Sequence, residues 1–364
     1  MFDLAIIGAG PAGATLARLV GKKYSVLLID KRSFSDRGDC SSGGKCCGGL
    51  LAPDAQRALS ELGLGLPKRV LEGPQLFVVR AIDARQGVER YYQRHYINMD
   101  RREFDDWLLS IVPSDVDLRT GCPFESYSSE DANFKIRFSR GGRTYEEEAK
   151  ILVGADGASS RLRAQAASGD PFPAKYIAIQ EWVEGDGRQP HFTSVFDPEL
   201  TDYYCWTIPK GDRLLVGAAL RPGQDASAKF NAFKQTLKGM GFRIGRTLRR
   251  EGGFILRPRK TNELFPCKGR LAFIGEAAGW ISPSSAEGIS YAFRSARALA
   301  EALPGELEGL ERRHREKTKR LQRNILLKIL KSRLIFHPAF RKMVMKSGIQ
   351  TVHLVQPEDR DPSF

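Results

Sequence analysis

Apolar positions near the start of the chain fall into two short runs with a helical stretch between them. Phe2 to Ile7 is almost unbroken, the pattern of a strand buried on both faces of a parallel sheet. Leu16, Leu19 and Val20 then recur at helical spacing, and Ser25 to Ile29 reads as a second strand. Two later apolar runs also end in glycine and an acid: Ile151–Gly154 before Asp156, and Leu271–Ile274 before Gly275-Glu276. Between them the pattern changes to alternation. Gln75–Arg80, Ile177–Val183, Tyr203–Pro209 and Leu214–Leu220 are rich in β-branched and aromatic residues, which predicts a mostly antiparallel sheet. Residues 288–303 alternate small and apolar positions as a buried helix does. The order predicts an α/β fold in which one domain is discontinuous (1–70, 96–167 and 268–304). A β domain is inserted at 71–95 and 168–267, and a helical region covers 305–364.

Charge changes the reading of that last region. The formal net charge is +14, and between Glu311 and Lys346 stand 13 Lys/Arg against two Glu, so the rest of the chain carries only +3. Leu321, Ile325, Leu326, Ile329, Leu330, Leu334 and Ile335 interleave with the basic residues at helical spacing, before His337-Pro338 closes the helix. A helix apolar on one side and basic on the other suits an anionic membrane surface. Docking on its own protein with a solvated basic face accounts for the same pattern. Nucleic acid is not expected as a partner, because no binding motif accompanies the charge.

Composition excludes several classes. The 364 residues are 41% hydrophobic and 27% charged, an ordinary globular balance. No apolar run approaches the roughly 20 residues of a membrane span. The run Leu4–Ile7 enters a glycine motif without a basic leader, so a secretion signal is not expected and the cytoplasm is. Six cysteines (Cys40, Cys46, Cys47, Cys122, Cys205, Cys267) include no CxxC pair, which gives zinc no support and fits free thiols in a reducing compartment.

The chemistry begins at Gly8-Ala9-Gly10-Pro11-Ala12-Gly13, a GxGxxG between strand and helix with Asp30 at the end of the next strand. Each glycine has a reason: Gly8 for the turn, Gly10 for backbone approach to a diphosphate, Gly13 for close packing of helix on strand. Asp30 is placed to accept hydrogen bonds from an adenosine ribose, with Lys31 and Arg32 beside it. The motif alone does not separate NAD from FAD, and no second GxGxxG is present for a nicotinamide, so an external electron donor is expected.

The segments Ala155-Asp156-Gly157, Gly275-Glu276 and Pro283 through Glu287-Gly288-Ile289, in this order, resemble the FAD-dependent monooxygenases and reductases with a glutathione-reductase-type FAD domain. That resemblance implies FAD as cofactor, an acid at position 276 holding its ribityl–diphosphate region, and helix amides at 287–289 facing the flavin pyrimidine. The superfamily usually has Asp where this chain has Glu276. Arg101, in Arg101-Arg102-Glu103-Phe104-Asp105-Asp106-Trp107-Leu108, matches the family's RxxFDxxL helix, whose arginine lies near the cofactor.

Two motifs narrow the branch. Gly43-Gly44-Lys45-Cys46-Cys47-Gly48-Gly49 resembles the KPCGG loop of the geranylgeranyl-reductase-like flavoproteins, with Cys47 at the cysteine position beside the flavin and Cys46 in place of proline. Tyr204-Cys205-Trp206-Thr207-Ile208-Pro209-Lys210 resembles their YxWxFPK strand, and alternation puts Tyr204, Trp206 and Ile208 on one face. Glu276 is shared with a bacterial subgroup of the family. The resemblance covers nearly the whole chain and implies hydride transfer from reduced FAD to a carbon–carbon double bond of a polyprenyl lipid or similar apolar substrate. Cys47 and Tyr204 are the candidate proton donors, and Trp206 part of an aromatic wall across a cavity from Cys47. A flavin monooxygenase acting on an aromatic or quinone substrate and a non-catalytic flavin-bound membrane accessory protein are the alternatives.

Overall fold

In the computed structural model, residues 1–33, 45–130, 133–167, 172–185, 190–223 and 225–353 are described. Cys40, Gly43, Gly44 and the end of the tail from residue 354 lie outside the described residues.

The chain opens with β1 (Phe2–Ile7), α1 (Pro11–Val20) and β2 (Val26–Ile29). It then forms β3 (Leu50–Leu51), α2 (Pro53–Glu61), β4 (Leu76–Asp83), β5 (Val88–Asn98) and α3 (Arg101–Ser110). Next come β6 (Asp117–Arg119), β7 (Phe124–Glu130), β8 (Asn133–Arg140), β9 (Arg143–Gly154) and α4 (Arg161–Ala166). A run of strands follows: β10 (Ala174–Gly185), β11 (His191–Phe196), β12 (Cys205–Lys210) and β13 (Arg213–Leu220). After α5 (Ala226–Gly239) the chain completes β14 (Ile244–Arg257), β15 (Cys267–Lys268) and β16 (Leu271–Phe273). Three helices close it: α6 (Ile289–Ala302), α7 (Leu310–Ile335) and α8 (Pro338–Ser347).

These strands sort into two sheets. The first runs β15-β16-β9-β1-β2-β6, parallel from β16 to β6, with β7 and β8 added to β9 as an antiparallel arm. Successive side chains of β1 feed different cores. Leu4 and Ile6 meet α1, α3 and α6, while Ala5 and Ile7 meet the β7–β9 arm and Trp280. Burial on both faces is why β1 and β2 read as continuous apolar runs.

The second sheet runs β14-β10-β13-β12-β11-β4-β5-β3 and is antiparallel except where β4 meets β11. One face packs on α5 through Val216, Ala218, Phe230 and Phe233. The other carries Trp206, Ile208, Leu215 and Ala219. Leu50–Leu51 and residues 96–98, expected in the first domain, belong to this sheet because they pair with each other.

The tail differs from expectation. Its apolar residues form two faces. Leu321, Ile325 and Ile329 are buried in the core beside the β7–β9 arm, whereas Leu326, Leu330 and Leu334 point outward. His337-Pro338 does not end the region, since Pro338 starts α8. That helix is held by a buried pair, Arg341 Nε to Asp83 Oδ2 at 2.6 Å.

Candidate active site

The turn after β1 is glycine for local steric reasons. Gly8 has φ +105°, and a Cβ there would lie 2.5 Å from the Ala155 carbonyl oxygen. A Cβ on Gly13 would come within 1.8 Å of the Gly8 oxygen, so α1 can pack on the turn only without one. Gly10 is different. Its φ is −73°, and the nearest atom to a Cβ there is Arg32 Nη2 at 4.0 Å, so nothing inside the protein requires glycine. Its backbone faces open space at the N-terminus of α1, where Pro11 is the first helical residue and no side chain caps the helix. An uncapped helix start with a bare backbone is suited to an anion such as a diphosphate.

Around this turn the predicted segments converge. Ala155 and Asp156 abut Gly8, and Ala12 lies against Gly275, which has φ +57°. Asp156 accepts from the amides of Arg161 and Leu162 through Oδ2, while its buried Oδ1 has no partner among the described residues. Burial holds its carboxyl above the usual range. Gly157 has φ +78° with open space around it.

Asp30 acts as a clamp on the loop. Ala9 N donates to Oδ2 at 2.7 Å and Arg32 N to Oδ1 at 2.8 Å, and the Arg32 guanidinium adds two bonds at 3.1 Å. A carboxylate has about four lone-pair positions, and here four donors use them. The expected ribose contact therefore has no free acceptor on Asp30. Arg32 continues to Asp105 Oδ2 at 3.1 Å, and Asp105 accepts from Arg101 Nε at 2.8 Å. Burial opposes ionisation of Asp105, but Arg101 and Arg32 outweigh it and hold the carboxyl below its usual range. Burial likewise opposes the Arg101 charge, yet Asp105 and the nearby Cys47 keep it firmly protonated. Arg101 is thus a buried link between the nucleotide turn and the cysteine loop. Lys31 is exposed.

The two adjacent cysteines part company. Cys47 is half-buried beside Arg101, with Gly49 N donating to its sulfur at 3.5 Å. Cys46, expected on the cofactor side, turns into the second sheet. Gln180 Nε2 donates to its sulfur at 2.7 Å, and burial pushes the thiol up to about 12. The same Gln180 accepts from Trp206 Nε1 at 3.3 Å. The residue hydrogen-bonded through Gln180 to Trp206 is therefore Cys46, while Cys47 lies beside Arg101. Gly48 closes the contact, since a Cβ there would meet Ile208 Cδ1 at 2.6 Å.

Glu276 also departs from expectation. Leu256 N donates to Oε1 at 2.9 Å, and Lys45 forms an ion pair with Oε2. Both oxygens thus bind protein, and the extra methylene relative to Asp lets the carboxylate reach β14.

At the opposite end, loop 282–288 leads into α6. Ala286 has φ +53°, a strained conformation for a residue with a Cβ. Glu287 accepts from the amide and hydroxyl of Ser290, both at 2.7 Å, while Gly288 and Ile289 open the helix. Pro283 accepts from Ser332 Oγ. Tyr204 OH donates to the Ser285 carbonyl at 2.8 Å and Tyr203 OH to that of Ser282 at 3.4 Å. Tyr203, Tyr204, Trp206 and Phe336 pack as an aromatic cluster, with Tyr203 and Tyr204 edge to face at 4.9 Å and Phe336 at 5.1 Å from Tyr203. Burial and neighbouring Tyr203 hold the Tyr204 phenol well above 10.

Sequence reasoning missed Asp105, Gln180, Lys210 and Phe336 as site residues. Lys210 is buried and donates to the carbonyls of Met99 (2.8 Å) and Gly49 (3.1 Å). Three of the four carried a signal: Asp105 sits four residues after Arg101, Gln180 is a polar residue in the apolar strand Tyr176–Val183, and Lys210 ends the segment that resembles the YxWxFPK strand.

The uncapped turn at Gly10, the orphaned Asp156 oxygen and the helix start at Gly288 fit FAD. Fold and donor set together define a dinucleotide-binding α/β protein. A geranylgeranyl bacteriochlorophyll reductase-like protein from Thermoplasma acidophilum superposes with a TM-score of 0.81 at 17% identity, over 98% of this chain and 94% of that one. The halogenase PltM in complex with FAD gives 0.66 at 17% identity, over 92% and 75%. Protein CbrA of Escherichia coli O6:H1 is 38% identical over 363 residues, spanning 100% of this chain and 97% of that protein. The chain belongs to the CbrA family. No protein-family model matches it.

Proposed function

We propose that this protein reduces a carbon–carbon double bond of an apolar, polyprenyl-type substrate, drawing electrons from an external donor through FAD. When bound, FAD supplies the hydride. Gly10 and the start of α1 would hold its diphosphate, and the amides of Gly288 and Ile289 would serve its pyrimidine edge. The aromatic cluster carries the reading: apolar rings stand directly behind the two loops that would meet the flavin, tied to them by the Tyr204–Ser285 hydrogen bond and the Gly48–Ile208 contact. Such rings exclude water and orient an alkene. The Tyr204 phenol, kept protonated by burial, and the Cys47 thiol are the proton donors to the neighbouring carbon.

The test is anaerobic. Protein reduced with dithionite is mixed with a lipid bearing a geranylgeranyl chain, and flavin absorbance and lipid mass are followed. Reoxidation with a gain of two hydrogens per reduced bond supports the reading. No reoxidation without oxygen, together with an oxygenated product in air, would replace it with a monooxygenase.

A further inference from the structure

The C-terminal helices leave an apolar surface that the fold does not use. In α7 the buried stripe ends at Ile325 and Ile329, and directly opposite it stand Leu327, Leu330 and Leu334, spaced three and four residues apart. Leu327 is 65% exposed. The pattern repeats in α8, where Arg341 and Met345 face inward while Phe340, Met343 (62% exposed) and Val344 face out. A helix that is apolar on its core side needs no leucines on the other side, and consecutive outward stripes on two helices signal a binding surface.

The surrounding charge says what it binds. Much of the basic tail is neutralised locally: Arg315 pairs with Glu311, Lys319 with Glu316, Lys317 with Glu301, Lys328 with Asp54 and Arg341 with Asp83. Arg320, Arg323, Lys331, Arg333, Lys342 and Lys346 have no carboxylate partner among the described residues. Lys331, Arg333 and Lys342 lie between Leu327 and Val344 in the sequence, Arg320 and Arg323 come before that stretch and Lys346 just after it. Apolar side chains among unpaired cations match an anionic lipid surface, where acyl chains receive the leucines and headgroups receive the charges.

We propose that the outer faces of α7 and α8 dock the protein on an anionic lipid bilayer. Position adds to this. Phe336, in the turn joining the two helices, packs on Tyr203, Tyr204 and Phe196, so the proposed lipid face is continuous with the aromatic cluster. An apolar substrate could then pass from bilayer to cluster without crossing water, a point that rests on the function proposed above, although the docking itself does not.

Vesicle co-sedimentation of the full-length protein tests it, and binding is read independently of turnover. Wild type is expected to sediment with phosphatidylglycerol vesicles at low salt, to be released at high salt, and to bind neutral phosphatidylcholine vesicles weakly. Replacing Arg320, Arg323 and Arg333 with glutamine should lower partitioning by on the order of a hundredfold. The combined Leu327→Gln, Leu330→Gln and Leu334→Gln variant should lower it by at least about tenfold. Its circular dichroism should match wild type, because the leucines are exposed. Wild type left in the supernatant with anionic vesicles at low salt overturns the proposal. So does a leucine variant that binds as wild type does, or a leucine-dependent dimer that ignores vesicles.

Discussion

Lys210 is a buried ammonium whose nearest partners are two backbone carbonyls, and that has a measurable consequence. Desolvation lowers its pKa from 10.5 to about 8, with Cys47 and Glu72 only partly offsetting the loss. The unfolded chain keeps the ordinary value, so between about 8 and 10.5 the folded state binds fewer protons than the unfolded one, and stability rises with pH. At about pH 7 both forms are protonated, and burying the charge costs about 3 kcal/mol. From about pH 7 to about pH 9 the folded lysine sheds its proton, which returns about 1 kcal/mol. Lys210→Met removes that dependence. It also leaves the Met99 carbonyl without this donor, at about 1–3 kcal/mol, while the Gly49 carbonyl still accepts from the Met99 amide, so the absolute stability of the variant is not diagnostic. The pH slope is. Urea unfolding followed by tryptophan fluorescence across this range should give a wild-type minus variant difference that climbs by about 1 kcal/mol. A flat difference would mean the ammonium is solvated or paired at all these pH values, and the burial argument would fail.

Gly10→Val should fold normally yet purify with at least about tenfold less flavin, because only the open face of the turn is blocked; a folded variant with undiminished absorbance places the cofactor elsewhere. Gly13→Ala, by contrast, meets the Gly8 carbonyl and should lower the melting temperature. Iodoacetamide at neutral pH should modify half-buried Cys47 and spare Cys46 until the protein is denatured, read by peptide mass; equal labelling would refute the assigned orientations. Asp105→Asn strands the Arg101 guanidinium without its carboxylate, while Arg32 keeps Asp30, and should destabilise by about 3–5 kcal/mol in denaturant titration.

What the sequence made legible was whatever local sterics dictate. The nucleotide turn is readable because Gly8 and Gly13 are forced by contacts within a few residues or with the adjacent strand, and the apolar runs of β1, β2, β9 and β16 follow from burial on both faces. The aromatic face of β12 followed from strand alternation. Asp30 and Glu276 were harder. Their types were read correctly as acids at strand ends, but Arg32 and Lys45 occupy their oxygens, and nothing in a linear pattern reports how many donors will reach a carboxylate. The tail shows the same limit at larger scale. Seven apolar residues at helical spacing look like one stripe, and only the position of the core separates Ile325 and Ile329 from Leu330 and Leu334.

Cys46 and Cys47 carry this furthest, because two identical neighbours receive opposite chemistry from the fold alone. Cys46 sits against Ala178 and Gln180 of β10, with Gly253 of β14 so close that a Cβ there would be 3.1 Å from the Cys46 Cβ. A thiol so enclosed is neutral and inert, and it performs the structural task of anchoring the loop to the second sheet. With one cysteine pinned, alternation turns the next toward the first sheet and toward Arg101, whose own position depends on Asp105 and through it on Arg32 and the nucleotide turn. The Cys47 side chain is thereby held between two anchors, the pinned Cys46 on the second sheet and Arg101 on α3. Loosening either anchor should impair Cys47 chemistry without touching Cys47. Gln180→Leu removes the Cys46 and Trp206 hydrogen bonds together, so flavin content should survive while the alkylation rate of Cys47 changes. An unchanged rate in that variant would show that Arg101 alone positions the thiol.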